Sequence, residues 1–232
     1  MISTIKSNER HHGNFGWLDT HWHFSFGDYR DPKNMNWGPL RVFNDDTVQG
    51  GGGFDLHPHR DMEIVTVVYD GELRHGDDMG NTGVIHPSEV QVMSAGRGLL
   101  HSEHNNSETK PVHFLQIWLI PRHRGNTPRW DQKQFDPSAR VGKLVPVVSG
   151  GNIEGTLRID QDASIYLSTL LSGKRVEHNL ATGRKAYLFV VDGRIELNGE
   201  SFSAGDQARI DRETRLEIVG KDDAEVILLD LP

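Results

Sequence analysis

The sequence predicts an all-β protein, built as sandwiches or barrels, in two related units. Three observations carry that reading. Apolar runs are short and β-branched and stop at turn residues, as residues 64–69 do before Asp70-Gly71. Tight-turn dipeptides recur, Asp192-Gly193 and Asn198-Gly199 among them. A weak internal repeat is visible, with Asp70-Gly71 matching Asp192-Gly193 and Ser94-Ala95-Gly96 matching Ser203-Ala204-Gly205. Many short strands with frequent turns argue for a sandwich or barrel, and long helix-period patterns are hard to find.

In chain order, the strand candidates of the first half are residues 64–69, 84–85, 90–93 and 114–120, the last ending at Pro121. The run 50–53 is all glycine. No phosphate-binding Gly-Lys-Ser/Thr follows it, so a turn into the next strand is expected. Residues 122–137 are polar and punctuated by proline, which reads as the connection between units. The expected domains are therefore 1–135 and 136–232. Strand candidates of the second half are 143–148, 157–159, 165–171, 186–191, 194–197 and 225–231.

Composition narrows the function. A net charge of −8 argues against nucleic acid as a main partner, since phosphate binding needs a basic surface. No apolar run approaches the roughly 18 residues of a membrane span, and the first residues lack the apolar core of a signal peptide. Cytoplasmic residence is the default expectation. There is no cysteine, so any metal must be held by histidine and carboxylate.

Residues 51–105 supply such a set. His57 and His59 are two apart, and so are His101 and Glu103. Side chains at i and i+2 of a strand share a face, roughly 7 Å apart. Two such pairs on neighbouring strands present three imidazoles and a carboxylate, which suits a first-row transition metal. Glu63 has the same parity as the histidine pair and is expected behind the ligands, accepting a hydrogen bond that orients an imidazole. The remaining histidines, His75, His86, His104, His113 and His123 among them, read as surface or packing residues. Counted from the repeat, the second-copy positions matching the ligands are Asn179, Ala181, Ile210 and Arg212, with no ligand set, and His178 is expected to face away.

The spacing Gly51, His57-x-His59, Glu63, then Gly98-x-x-His101-x-x-x-Asn105 resembles the two motifs of the cupin superfamily, with Gly96 where proline is usual. Longer stretches resemble one family within it, the pirins: Gly16-Trp17-Leu18-Asp19, Asn44-Asp45-Asp46, His57-Pro58-His59-Arg60-Asp61-Met62-Glu63, Met93-Ser94-Ala95-Gly96 and His101-Ser102-Glu103. This resemblance implies a bicupin, two antiparallel jelly-roll-like barrels packed together, with metal in the N-terminal one. Its implied ligands are His57, His59, His101 and Glu103, and the implied metal is Fe(II), with Mn, Ni, Co, Cu and Zn as alternatives. Zinc would bind but, being redox-inert, would not activate dioxygen. The implied activity is cleavage of a flavonol such as quercetin at the 2,3 position by dioxygen, with release of carbon monoxide. The substrate is a small aromatic, and Glu103 is the candidate base. Phe24, Phe26 and Phe43 are candidate pocket walls. The alternative is a non-catalytic iron-binding protein that acts on protein partners and responds to redox state.

Overall fold

The computed structural model describes residues 1–232. The chain forms β1 (Ile2–Ile5), β2 (His11–Asn14), β3 (Leu18–Trp22), β4 (Leu40–Val48), β5 (Gly53–His59), β6 (Glu63–Asp70), β7 (Leu73–Asp77), β8 (Thr82–Ile85), β9 (Glu89–Ser94), β10 (Leu99–Asn105), β11 (Val112–Leu119) and β12 (Arg129–Gln134). It continues with β13 (Val145–Ser149), β14 (Leu157–Arg158), β15 (Ser164–Leu170), β16 (Arg175–Asn179), β17 (Lys185–Asp192), β18 (Arg194–Leu197), β19 (Glu200–Ser203), β20 (Gln207–Asp211), β21 (Arg215–Gly220) and β22 (Ala224–Leu231). The only helical pieces are two short 3-10 turns. The chain is all-β, with two cupin-type domains.

The N-terminal unit comprises residues 11–135 and 157–161. Its larger sheet runs β12-β9-β6-β11-β4-β3-β2 and its smaller one β5-β10-β7-β8. A core of Leu18, Val48, Val68, Leu73, Ile85, Val112 and Phe114 draws on both sheets, so each hides its apolar face against the other. The alternation in β7, with Leu73 and His75 buried and Arg74 exposed, is what a strand with one face inward produces.

The C-terminal unit repeats the plan with residues 1–10, 136–156 and 162–232. Its sheets run β1-β20-β17-β22-β15-β13 and β16-β21-β18-β19. Its core takes Val176, Ile195, Leu197, Leu216 and Ile218 from the smaller sheet and Ala186, Leu188, Ile210, Val226 and Leu228 from the larger. The Asn198-Gly199 turn joins β18 to β19 with both residues at positive φ, 48° and 87°. Such a turn matches the twist of the strands that flank it.

The expected domains need three corrections, the first being that residues 157–161 belong to the N-terminal unit. Residues 1–10 belong to the C-terminal unit, because β1 pairs with β20 from Ile2 opposite Ile210 to Ile5 opposite Gln207. The polar segment 122–137 is not all connection. It contains β12, which pairs with β9 at the edge of the sheet and is half exposed, hence its polar sequence.

The repeat also needs re-registering. The counterpart of β10 is β21, flanked by β16 and β18 as β10 is by β5 and β7. The positions matching His101 and Glu103 therefore lie on β21, where Leu216 and Ile218 face the core, and not at Ile210 on β20 and Arg212 just after it. The Ser-Ala-Gly match fails because Ser94 ends β9 whereas Ser203 ends β19. Val176 and Leu180 face the core, so His178 turns inward and bonds Asp230 at 2.8 Å.

Candidate metal centre

β5 and β10 are neighbours, and His57 lies directly opposite His101 across the ladder. The Nε2 atoms of these two residues are 3.0 Å apart. His59 joins them, its ring 4.7 Å from that of His101 and 4.9 Å from that of His57. One donor nitrogen from each of the three lies within 4.8 Å of the others. A register shift between His101 and Glu103 interrupts the pairing with β5, so Glu103 stands opposite Phe54 there and opposite His75 on β7.

Gly53 lets β5 approach this closely. A Cβ at this position would lie 2.6 Å from His104 Cα and 2.7 Å from the Glu103 carbonyl oxygen. No other residue fits there without moving one strand from the other.

Electrostatics favour neutral imidazoles. Burial, with the neighbouring imidazoles adding to it, lowers His59 and His101 to about 3 each. His57 Nδ1 donates to the Asp55 carbonyl at 2.7 Å, which in the neutral ring leaves Nε2 as a bare lone pair. His101 Nδ1 is buried without a hydrogen-bond partner. Glu103 is buried and receives Gln116 Nε2 at 2.8 Å on Oε2, with the Thr66 hydroxyl 3.4 Å from Oε1. Burial raises its pKa, opposed by His75, Gln116, His57 and Thr66.

A cavity of about 490 Å³ opens over these groups, in the size range of small-molecule sites. Trp17, Trp22, Phe26, Phe54 and Trp118 form its aromatic walls, and Asn44, Asp46, Glu103 and Gln116 supply polar groups. Of the three phenylalanines expected as walls, only Phe26 reaches it. Phe24 and Phe43 are sealed in the core at 1% and 0% exposure. Gln116 and Trp118, which share a face of β11, both line it.

Glu63 is not behind the ligands. The chain turns at residues 60–62, where Asp61 takes φ of 48°, and parity is lost there. Thr66 faces the site, so odd-numbered Glu63 faces away. It accepts the Ser94 hydroxyl at 2.6 Å, with Arg129 at 3.9 Å, and meets no imidazole.

His75 is the residue that sequence reasoning missed. It is 1% exposed, and it forms a second donor cluster with His101 and Glu103, again within 4.8 Å. Neither of its ring nitrogens has a hydrogen-bond partner, the nearest carboxylate oxygen being that of Asp77 at 3.5 Å. The available signal was its parity with Leu73 just after the Asp70-Gly71 turn. The other histidines pair with nearby carboxylates: His86 with Glu72, His104 with Asp55, His113 with Asp45 and His123 with Asp160.

Two units of this topology, one bearing a histidine cluster under an aromatic cavity, define a double cupin-type protein. Family comparisons are more specific. The Pirin model matches residues 5–119, and the model of the quercetinase C-terminal cupin domain matches residues 146–231. The chain is 44% identical over 233 residues to the Escherichia coli K12 protein named quercetin 2,3-dioxygenase, covering 100% of this chain and 99% of the relative. It is 43% identical over 216 residues to a pirin-like protein of Caulobacter vibrioides, covering 93% of each. The crystal structure of the bacterial pirin YhhW from Escherichia coli in complex with nickel(II) superposes with a TM-score of 0.95 at 41% identity, covering 100% of this chain and 99% of that one. The chain belongs to the pirin family.

Proposed function

We propose that this chain is a metal-dependent dioxygenase that cleaves flavonols such as quercetin at the 2,3 position and releases carbon monoxide. The observation that carries the reading is the meeting of His57, His59 and His101 beneath an aromatic-walled cavity that Glu103 also lines. The proposed ligands are His57, His59, His101 and Glu103.

These residues fit a divalent first-row ion. His57 and His101 direct Nε2 at the same point, where two lone pairs need a cation or a proton between them. Fe(II) is the proposed ion, and nickel(II) in the YhhW complex supports a divalent metal for this family's fold. When bound, such an ion supplies a Lewis acid for the substrate's 3-oxygen and an open position for dioxygen.

The protein residues do the rest. Trp17, Trp22, Phe26, Phe54 and Trp118 hold a flat ring system and keep bulk water from it. Asn44 and Gln116 offer polar anchors on one side of the cavity. Glu103 serves as ligand, and its carboxylate is held in place by Gln116 and Thr66. It is also the expected acceptor of the substrate proton, and each of its oxygens already accepts one hydrogen bond.

Elemental analysis of the purified protein beside His101→Ala, followed by anaerobic reconstitution with Fe(II) and a quercetin assay, tests the reading. One ion per chain, lost in the variant, with carbon monoxide and the depside formed under dioxygen, supports it. A loaded protein that makes neither product from any flavonol would move the assignment to a metal-binding protein acting on partners.

A further inference from the structure

The cavity contains a second carboxylic acid to which the reading above gives no role. Asp46 lies on β4, two residues from Asn44, so the two side chains share a face, and both line the cavity with Glu103 and Gln116. Asp46 is 3% exposed. Thr20 stands directly opposite it on β3 and donates its hydroxyl to Asp46 Oδ1. Oδ2 makes no hydrogen bond, and no cationic side chain pairs with the group.

An unpaired carboxylate in a water-poor cavity is costly, so such a group tends to hold a proton. The titratable groups that act on Asp46 are Glu103 on β10 and, from the opposite face of the sheet, Asp45 on its own strand and His113 on β11. Burial pushes the Asp46 carboxyl up to about 7, with Asp45 and Glu103 adding to the rise and the Thr20 hydroxyl and His113 opposing it. A group with this affinity exchanges protons most readily near neutral pH. No hydrogen bond joins Asp46 to His57, His59, His101 or Glu103.

We infer that Asp46, rather than Glu103, is the proton acceptor of this cavity, taking the proton of an acidic hydroxyl on a bound hydroxylated aromatic and returning it after reaction. The inference rests on the flavonol reading of the same cavity. In the step itself the substrate O–H bond breaks and its electron pair stays on the substrate oxygen. A new O–H bond forms at Asp46 Oδ2, and no oxidant or reductant takes part. The division of labour follows from the two hydrogen-bond environments. Gln116 and Thr66 hold Glu103 as a ligand, whereas Thr20 holds one oxygen of Asp46 and leaves the other free.

The test uses metal-loaded wild type, Asp46→Asn and Thr20→Val, with quercetin added under nitrogen. The absorption spectrum of the bound flavonol distinguishes neutral from ionised forms, and metal content is measured alongside. In Asp46→Asn, with metal content unchanged, the bound flavonol should ionise at a pH at least one unit higher than in wild type, a change of about tenfold in the ionised fraction. Thr20→Val removes a donor that favours the Asp46 carboxylate. It should move the acid limb of the kcat/KM profile to higher pH, and it keeps the question answerable if Asp46→Asn folds poorly. Identical flavonol ionisation in wild type and Asp46→Asn, or an unmoved limb in Thr20→Val, overturns the assignment to Asp46 and leaves the flavonol reading standing. No flavonol bound by the wild type removes that reading and the inference with it.

Discussion

Gln116 Nε2 donates to Glu103 Oε2 at 2.8 Å, and both residues are buried, at 6% and 3% exposure. The amide fixes the orientation of a buried carboxylate whose other oxygen has only the Thr66 hydroxyl at 3.4 Å. Gln116→Leu therefore leaves a buried acceptor without its donor, at a cost of about 1–3 kcal/mol. Urea unfolding of metal-free protein measures that loss. Metal affinity, followed by competition with a chelator, should fall about 10–100-fold, as for other groups that orient a ligand.

His75 should separate stability from metal binding. Its Nδ1 is buried without a partner and its Nε2 lies 3.5 Å from Asp77 Oδ2, so His75→Leu removes two poorly satisfied polar atoms. Its unfolding free energy should stay within about 1 kcal/mol of wild type. The imidazole helps to hold Glu103 ionised, so losing it should weaken metal binding. Equal metal affinity in wild type and His75→Leu would show that His75 is only packing.

Acid should destabilise the metal-free protein through its site. The folded pKa values of His59 and His101 fall from 6.5 to about 3. Between those limits the unfolded chain binds protons that the folded chain refuses. Their contribution is complete above pH 6.5 and is lost as pH falls towards 3. Asp46 acts in the opposite sense. Its folded pKa of about 7 exceeds the ordinary 3.8, so its contribution is full below 3.8 and is lost as pH rises through 7. Comparison isolates the histidine part. His59→Gln, which cannot take up the proton, should lose less stability than wild type when chelated samples are taken from about pH 7 to about pH 4. Parallel losses in the two proteins would refute the histidine contribution.

Gly53→Ala should damage the site without touching a ligand. The added methyl would press on His104 and on the Glu103 carbonyl, pushing β5 away from β10. We expect a loss of about 1–3 kcal/mol in unfolding free energy, typical of overpacking. Metal stoichiometry should drop as well, because His57 and His59 ride on the displaced strand. Elemental analysis of the folded fraction checks the second effect separately from the first.

The strand content and the pairing of His57 with His59 and of His101 with Glu103 were legible because both rest on local alternation. What was hidden depends on events that local patterns do not encode. The left-handed Asp61 resets parity between β5 and β6, so Glu63 turned out to face Ser94. His75 reaches Glu103 only through the β7–β10 ladder, a pairing of distant segments. In Asn44-Asp45-Asp46 nothing local says which acid faces inward. The structure sends Asp46 into the cavity and Asp45 to His113. The second unit's register was misread because a tripeptide match outweighed strand connectivity.

The place of β1 in the C-terminal unit has a consequence for how the molecule is made. Ile2–Ile5 are translated before β2 to β19, and their partner strand, Gln207–Asp211, only after them. The segment must stay unpaired, and open to proteases or stray strand contacts, while the intervening strands are synthesised. Completion of the C-terminal sheet is thus a late, long-range closure, slow by its topology. A chain in synthesis should hold residues 2–5 accessible until Gln207–Asp211 has been made.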